Sequence, residues 1–440
     1  MRMKWMNGLV LLVLLWGVSV FAQESQGPLT LEESIKIALE RSLTIHSATE
    51  GVEASKFKQK QALTNFLPQW TGSYYYTRYN RPTAIGSSAV SSSTSTVLNK
   101  SRNNFNLNSA ISQPLFTGGA TLANYRLEKL GVDDSKAGLE MVKKEVVLSV
   151  REGYFSILKA QKSREVAEQA VKQLEDHVRV AQAYFDVGIT PKNDLLQSEV
   201  KLAQAKQDLI KAENGVALAK ASFNNLLRRD INAPLSVVDI LEYKPFPLRF
   251  EESLEEALRQ RDEIKSAELK VQKAKENVRI ARSDFFPTIT LSGNYNRFSD
   301  EVRLGGTYLY DRWTILTSAT FTLGDWGKTA YKVGESKIGL TQAEDSKIVV
   351  KEGIILEVKE DYLDMVQAEK NIGVSEKSIE QAEENLRMNE ERYKYQVATS
   401  TEVLDAVILL AQARLNYYNA LSDFNIAKAK LERAMGRMYP

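Results

Sequence analysis

Apolar residues between Leu195 and Leu226 follow a strict seven-residue rhythm. Their spacing alternates between three and four positions, which places them along one side of a helix that lies against another helix. This seam comprises Leu202, Ala205, Leu209, Ala212, Val216, Ala219, Phe223 and Leu226. The rhythm returns 208 positions later (410 minus 202) at Leu410, Ala413, Tyr417, Ala420, Phe424, Ala427, Leu431 and Ala434. The pattern therefore predicts a duplication of helical hairpins.

The first half begins with a helical pattern and then changes to the two-residue period of β-strands. Thr30 is a hydroxyl cap before the acidic Glu32 and Glu33, and Pro68 ends the helical pattern near Phe66. Apolar Phe105, Leu107 and Ile111 then alternate with polar Asn104, Asn106, Asn108 and Ser112. This alternation predicts a strand pair over 69–116, joined by a long exposed loop of Ser and Thr at 81–100.

A helix without proline follows Gly118-Gly119 and continues to Asp186. About 67 residues at about 1.5 Å each give a rod of about 100 Å, which exceeds any compact domain. Thr190 as the cap and Pro191 in the first turn start a helix that returns antiparallel to the rod. The sequence thus predicts a coiled-coil hairpin with its tip at 187–190.

The second half repeats this order of elements. Ser253–Ala257 repeats the capped acidic start, Asp284–Pro287 repeats Asn65–Pro68, and a second long helix runs from Lys328 to about Tyr393. We predict a signal peptide at 1–22, a first repeat at 23–229, a linker at 230–252 and a second repeat at 253–440. The strand pairs are expected at 69–116 and 288–325, with strands of about 9 to 13 residues.

Composition excludes several kinds of chemistry. The net charge is +2 and the acids and bases alternate along the helices, so nothing indicates nucleic-acid binding. The chain has no cysteine and two histidines, His46 and His177, which we interpret as ordinary helix-surface residues. We expect no metal, no cofactor and no catalytic site. Residues 324–329 resemble a phosphate-binding loop only superficially, because Thr322 occupies the position of the first glycine of that motif.

The first residues have the pattern of an export signal. Arg2 and Lys4 precede the apolar run Leu9–Val20, and Val20-Phe21-Ala22 supplies small residues for cleavage. A membrane anchor is the alternative, although the run is shorter than the ~20 residues that span a bilayer. No later segment resembles a transmembrane helix, so membrane insertion of the mature chain would require β-strands.

Four amphipathic strands are too few to close a membrane barrel. The smallest such barrels have about eight strands, and an open edge in lipid leaves backbone groups unpaired, so several copies must share one barrel. A soluble β-sandwich is the alternative for such strands. Aromatic residues are candidates for girdles at the membrane interfaces: Trp70, Tyr74, Tyr295, Tyr308, Tyr310 and Trp313.

Several short motifs occur in a characteristic order along both halves. They are Leu31–Ser34 and Leu254–Ala257, the Phe-x-Pro strand starts at Pro68 and Pro287, Gln113–Gly119, Val187–Thr190, and Glu402–Ala406. With this order the chain resembles the TolC-like outer membrane efflux proteins over nearly its whole mature length. The resemblance implies a mostly α-helical fold with membrane β-strands: an α-barrel tunnel of coiled-coil hairpins and four strands per chain in a shared trimeric 12-stranded β-barrel.

The resemblance also implies a function. Such proteins are homotrimeric passive exit ducts in the outer membrane with a periplasmic extension, and they dock with a periplasmic adaptor and an inner membrane RND or ABC transporter. They serve efflux or type I secretion. The rival interpretation is a periplasmic adaptor, which also has helical hairpins but has no reason for lipid-facing strands.

Site residues follow from the same resemblance. Glu402 and Asp405 map to the acids around the closed periplasmic aperture, with Tyr393 and Asp194 as restraining contacts. The adaptor-docking tips map to Val187, Gly188, Ile189, Thr190, Val397 and Thr399. The chain departs from the family pattern at Ala398, where an arginine would complete the gate, and at Gln396, which replaces the tip glycine. Read from the residues alone, Glu402 is an acid in a first helical turn and Asp405 an exposed polar residue.

Overall fold

The computed structural model of the chain describes residues 27–84, 100–304 and 310–438. The expected signal peptide at 1–22 and Tyr308 lie outside these residues. In chain order the elements are α1 Leu31–Arg41, α2 Leu43–Thr64, β1 Gln69–Ala84, β2 Lys100–Thr117, α3 Ala120–Asp186, α4 Lys192–Leu226, α5 Phe250–Gln260, α6 Asp262–Ser283, β3 Thr288–Ser299, β4 Tyr310–Thr320, α7 Lys328–Lys394 and α8 Ser400–Ala434.

The first helical segment is two helices rather than the single one predicted. Thr30 caps α1 in a capping box with Glu33, as the sequence indicates. Ser42 then takes an extended conformation, and its hydroxyl accepts a hydrogen bond from Ile45 N, so it ends α1 and caps α2. Serine competes for backbone hydrogen bonds in this way because its hydroxyl is short, and the apolar period does not reveal the break.

The duplication is confirmed by five of the six pairs of elements, the exception being β2 and β4, of which neither the first nor the last residues correspond. α1, α2 and β1 recur as α5, α6 and β3 at an offset of 219, whereas α3 and α4 recur as α7 and α8 at an offset of 208. The expected match of Leu31–Ser34 with Leu254–Ala257 is wrong by four residues. The structural equivalent is Phe250–Ser253, where Arg249 occupies the N-cap position and Ser253 lies inside the helix.

The two hairpins carry most of the chain. α3 and α7 each have 67 residues, and α4 and α8 each have 35. The predicted seam is buried more completely in α8 than in α4, because α8 packs on both α7 and α3, whereas α4 packs mainly on α3. Among the described residues, none of the helices is sufficiently long and apolar to span a bilayer.

The strands form one antiparallel sheet in the order β1-β2-β3-β4. The strands of the first pair are longer than expected, at 16 and 18 residues, and β4 ends at Thr320 rather than at 325. The predicted alternation is confirmed by the register, in which Trp70 pairs with Ile111, Tyr76 with Phe105, and Tyr295 with Trp313. One face of the sheet is therefore mainly apolar and aromatic, and the other carries mainly Asn, Ser and Thr.

The linker binds the middle of α3. Tyr154 is fully buried, and its hydroxyl donates to the carbonyls of Leu29 and Val238 at 3.0 and 2.8 Å. Burial raises the pKa of Tyr154 to about 12, so the phenol remains a donor at every physiological pH. This contact fixes the start of the first repeat and the linker on one helix.

Candidate aperture and docking tips

Both hairpins turn through the same backbone motif. In the first tip, Gly188 N donates to Phe185 O and Ile189 N to Tyr184 O, and Gly188 has a φ of +76°. In the second tip, Gln396 N donates to Tyr393 O and Val397 N to Arg392 O. These are Schellman motifs, in which the left-handed residue lets the turn satisfy the last helical carbonyls. Val187, Ile189 and Val397 are left exposed at the ends.

The predicted cap at the first tip is wrong. Pro191, not Thr190, occupies the N-cap position of α4, and the Thr190 hydroxyl is buried without a hydrogen bond within the described chain. The second tip is capped by Thr399, which forms a capping box with Glu402. Thr399 accepts a hydrogen bond from Glu402 N at 3.4 Å, and Thr399 N donates to the Glu402 carboxylate at 3.1 Å.

Glu402 has a cationic partner, Arg392, that the sequence pattern did not predict. Arg392 Nη1 donates to Glu402 Oε2 at 3.0 Å, and Arg392 Nη2 donates to the Val397 carbonyl at 3.4 Å. Hydrogen bonds from Thr399, with the Arg392 charge adding to them, hold the pKa of Glu402 below its usual range. Arg392 thus ties the second tip together although Ala398 lacks the expected arginine. The signal was a basic residue in the last turn of a long helix.

Asp405 lies one turn after Glu402 on the same side of α8. It is exposed, and within the described part of the chain it forms no hydrogen bond or ion pair. The neighbouring Ala406 and Val407 are buried in the hairpin core. The two acids therefore share an outward-facing side of α8, and among the described residues neither forms a hydrogen bond with Asp194.

Tyr393 and Asp194 are brought near each other without a direct bond. The Tyr393 hydroxyl is buried, and it has no hydrogen-bond partner of regular geometry among the described residues. Burial raises the pKa of Tyr393, and the nearby Asp194 carboxylate raises it further. The Tyr393 ring packs on His177 and Tyr184 with centroid distances of 5.0 and 5.6 Å.

His177 is not an ordinary surface residue, so that interpretation is wrong. It is buried, and its Nε2 lies 2.8 Å from Ser400 Oγ, which in turn lies 3.0 Å from Ser198 Oγ. His46, in contrast, is exposed on α2 as expected. The position of His177 within α3 could not predict this contact, because Ser400 belongs to α8 of the other hairpin and Ser198 to α4.

Four of the six candidate girdle residues have described side chains on the sheet: Trp70, Tyr74, Tyr295 and Trp313. Trp70 and Trp313 are exposed, the Trp70 ring donates to Ser109 Oγ at 2.8 Å, and the Tyr74 hydroxyl donates to Val302 O at 2.8 Å. Tyr310 begins β4, and its side chain lies outside the described part of the chain. The assignment of these residues to membrane girdles stays a prediction.

Two long hairpins joined to one amphipathic sheet are the architecture implied by the resemblance. The model of the family described as outer membrane efflux protein matches residues 34–227 and 253–437. The chain belongs to the outer membrane efflux protein family. Its relatives include the outer membrane protein TolC of Vibrio cholerae serotype O1, 23% identical over 304 residues that cover 67% of this chain and 68% of TolC. The outer membrane efflux protein BepC of Brucella suis biovar 1 is 22% identical over 413 residues, 93% of this chain and 86% of BepC.

Solved structures share the fold. The outer membrane channel CmeC of Campylobacter jejuni superposes with a TM-score of 0.79 at 18% identity, covering 92% of this chain and 85% of CmeC. The open state of the MtrE outer membrane channel of Neisseria gonorrhoeae gives a TM-score of 0.74 at 21% identity, covering 92% of this chain and 88% of MtrE. Because it belongs to the outer membrane efflux protein family, the protein is an outer membrane channel, and the periplasmic adaptor interpretation has no support.

Proposed function

We propose that this efflux protein is a passive exit duct built from three copies of the chain. In this assembly the hairpins wall a periplasmic tunnel and twelve strands close one barrel in the outer membrane. The main support is that the two halves have equivalent helices and strands, but equivalent apolar side chains are buried in one half and exposed in the other. The interfaces between the two halves, α3 with α8 and β2 with β3, have counterparts that only another copy can complete.

The sheet supplies the first argument. β1 and β4 are its edges, and neither edge pairs with another described strand. One face carries Trp70, Tyr295, Trp313 and Ile315, which are exposed. In lipid an unpaired edge costs several kcal/mol for each free backbone group, so β4 of one copy is expected to pair with β1 of the next.

The helices supply the second argument. Inside the chain α3 packs on α8, and the offset of 208 converts this pair into α7 of one copy on α4 of the next. Phe155 is 4% exposed on α3, whereas its equivalent Leu363 on α7 is 51% exposed. Val166 is 2% exposed and its equivalent Val374 is 70% exposed. These apolar residues need a second α8-like helix, which α4 of a neighbouring copy provides.

The face of α4 agrees with this arrangement. Leu404 on α8 is 1% exposed, whereas its equivalent Leu196 on α4 is 46% exposed. Ser422 on α8 is fully buried and its hydroxyl donates to the Phe155 carbonyl at 3.4 Å. The equivalent pair between copies is Asn214 on α4 of one copy and Leu363 on α7 of the next. These two positions are therefore predicted to face each other across the interface between copies.

The tips complete the proposal. Three-fold symmetry would gather three copies of Glu402 and Asp405 around the periplasmic aperture, where their charge attracts cations. The exposed residues Val187, Ile189 and Val397 are apolar docking points for a periplasmic adaptor, which would connect the duct to an inner membrane RND or ABC transporter. In this role the protein moves its cargo without catalysing a reaction.

Disulfide trapping tests the proposed interface between α4 of one copy and α7 of the next. The sequence has no cysteine, so the double variant Asn214→Cys with Leu363→Cys introduces the only thiols. We expect oxidised outer membranes to show covalent dimers and trimers on non-reducing gels, and reductant to return the monomer. Leu363→Cys alone is the control. A monomer band that persists after oxidation of the double variant would contradict this interface, and a monomeric mass of the purified protein would contradict the assembly.

A further inference from the structure

A buried polar contact joins the two hairpins beside the tips. His177 of α3 contacts Ser400, the first residue of α8, and Ser400 contacts Ser198 of α4. All three residues are buried. These side chains therefore connect both arms of the first hairpin to the start of the second hairpin's return helix.

The hydroxyl protons determine the state of the imidazole. Ser198 donates its proton to the Asp194 carbonyl at 2.9 Å, so its oxygen accepts the proton of Ser400. Ser400 then has no proton left for His177, and the hydrogen bond at Nε2 must be donated by the histidine. The contact is therefore a chain of donors from neutral His177, protonated at Nε2, through Ser400 and Ser198 to the backbone of α4.

A second proton on His177 has no favourable place in this pocket. Among the described residues the imidazole forms no other hydrogen bond and no ion pair, so Nδ1–H would lack a protein acceptor. The ionisable groups near the pocket, among the described residues, include Tyr184 on α3, Tyr393 on α7 and Asp194 on α4, with the Glu402–Arg392 pair at the nearby tip. Glu402 is held by Arg392 and Thr399, and Asp194 faces Tyr393. The positive end of the α8 dipole at Ser400 also opposes an imidazolium.

We propose that His177 is a pH-sensitive latch of the periplasmic aperture, closed when the imidazole is neutral and released when it is protonated. This proposal rests on the proposed function, because it requires that the second tip moves when a periplasmic aperture opens. Release means that the start of α8 separates from α3 and α4 so that water can hydrate the imidazolium.

The direction of the pH effect follows from burial. In this structure, which the proposal identifies with the closed latch, burial lowers the pKa of His177 below its usual value of 6.5. The open state, with a hydrated imidazole, therefore binds more protons, so the closed state is most favoured above the usual pKa and loses favour as the pH falls below it. Each pKa unit of difference changes the ratio of closed to open aperture about tenfold.

Single-channel recording on the assembled protein tests the latch. We expect the conductance or the open fraction of the natural protein to rise severalfold between about pH 8 and about pH 5. His177→Gln, whose amide can donate to Ser400 without titrating, should abolish this response. His46→Gln is the matched control, because His46 is the other of the two histidines in the chain, and it should keep the response. An equal response in His177→Gln would overturn the proposal.

A second experiment does not depend on the channel current. Hydrogen exchange of peptides around residues 190–200 and 396–404, corrected for the intrinsic pH effect, should accelerate at acidic pH in the natural protein and not in His177→Gln. The disulfide variant Ser198→Cys with Ser400→Cys should lock the conductance at its low value until reductant is added. Absence of any current from the natural protein would contradict the channel. Identical exchange in both proteins, or full acid response in the locked variant, would contradict the latch alone.

Discussion

Gly188 and Gln396 occupy equivalent positions in the two tips, and both have a left-handed backbone, with φ of +76° and +62°. Glycine adopts this conformation freely, whereas a side chain is strained there. The second tip therefore keeps the same turn at an energetic cost that the first tip avoids. The family's tip glycine is missing from this sequence, but the turn it supports is present.

Gln396→Gly should stabilise the protein. Relief of the left-handed strain is worth about 1 kcal/mol, and thermal unfolding of the purified assembly measures it. Gly188→Gln is the mirror experiment and should lose a similar amount, since a Cβ at Gly188 meets no atom within 4 Å and backbone strain is the main effect. Lower stability of Gln396→Gly would show that the glutamine side chain has a role of its own.

The aperture assignment can be tested through charge. Glu402→Ala with Asp405→Ala should raise single-channel conductance or reduce cation selectivity in planar bilayers, because it removes six carboxylates from the proposed three-fold axis. Asp208→Ala is a suitable control, since Asp208 is an exposed acid of α4 that pairs with Lys211 within its own helix. Unchanged currents in the double variant would contradict the aperture assignment.

Asp361 makes the stability of the hairpins depend on pH. Burial raises the pKa of Asp361 to about 6, and the Glu357 charge adds to this effect. A raised carboxyl pKa favours the folded state at low pH, and this contribution is lost as the pH rises through about 6. Asp361→Asn should therefore stabilise the protein by about 1 kcal/mol at neutral pH and have little effect near pH 4, with solvent screening already discounted.

Thermal unfolding at the two pH values measures this difference. Asp345→Asn, an exposed position on the same helix that is not among the charges acting on Asp361, should change neither value. A gain for Asp361→Asn that is equal at both pH values would exclude titration as its cause.

Gly118 and Gly119 join β2 to α3, and only the first is enclosed. Both have positive φ, but a Cβ at Gly118 would lie 2.4 Å from the Ser283 carbonyl oxygen, whereas a Cβ at Gly119 meets nothing. Gly118→Ala should cost about 2 kcal/mol or more, and Gly119→Ala about half of that. The ratio of folded to degraded protein in outer membranes, together with thermal unfolding, separates the two. Equal losses would show that steric contact with Ser283 is unimportant.

The sequence predicted the parts of the fold that depend on local periodicity. The ends of α3 were correct to the residue, and the offset of 208 appeared in the seam of Leu202 and Leu410. What it missed depends on contacts across the fold. The break at Ser42 and the role of His177 require partners that no helical period specifies, and the ion pair of Arg392 with Glu402 requires the turn to bring ten-residue neighbours together. The aperture acids were located by resemblance, and their alignment around an axis stays a prediction.

The two arms have identical dimensions: 67 residues outward, five in the turn and 35 back. All of the 11-residue difference between the repeats lies in the strand pairs and their loops (219 minus 208). We therefore expect both tips to lie at the same distance from the sheet. Shortening one hairpin by two heptads would leave its tip short of the other. Length changes should consequently be tolerated only when both hairpins change together, whereas the loops between the paired strands should tolerate insertions.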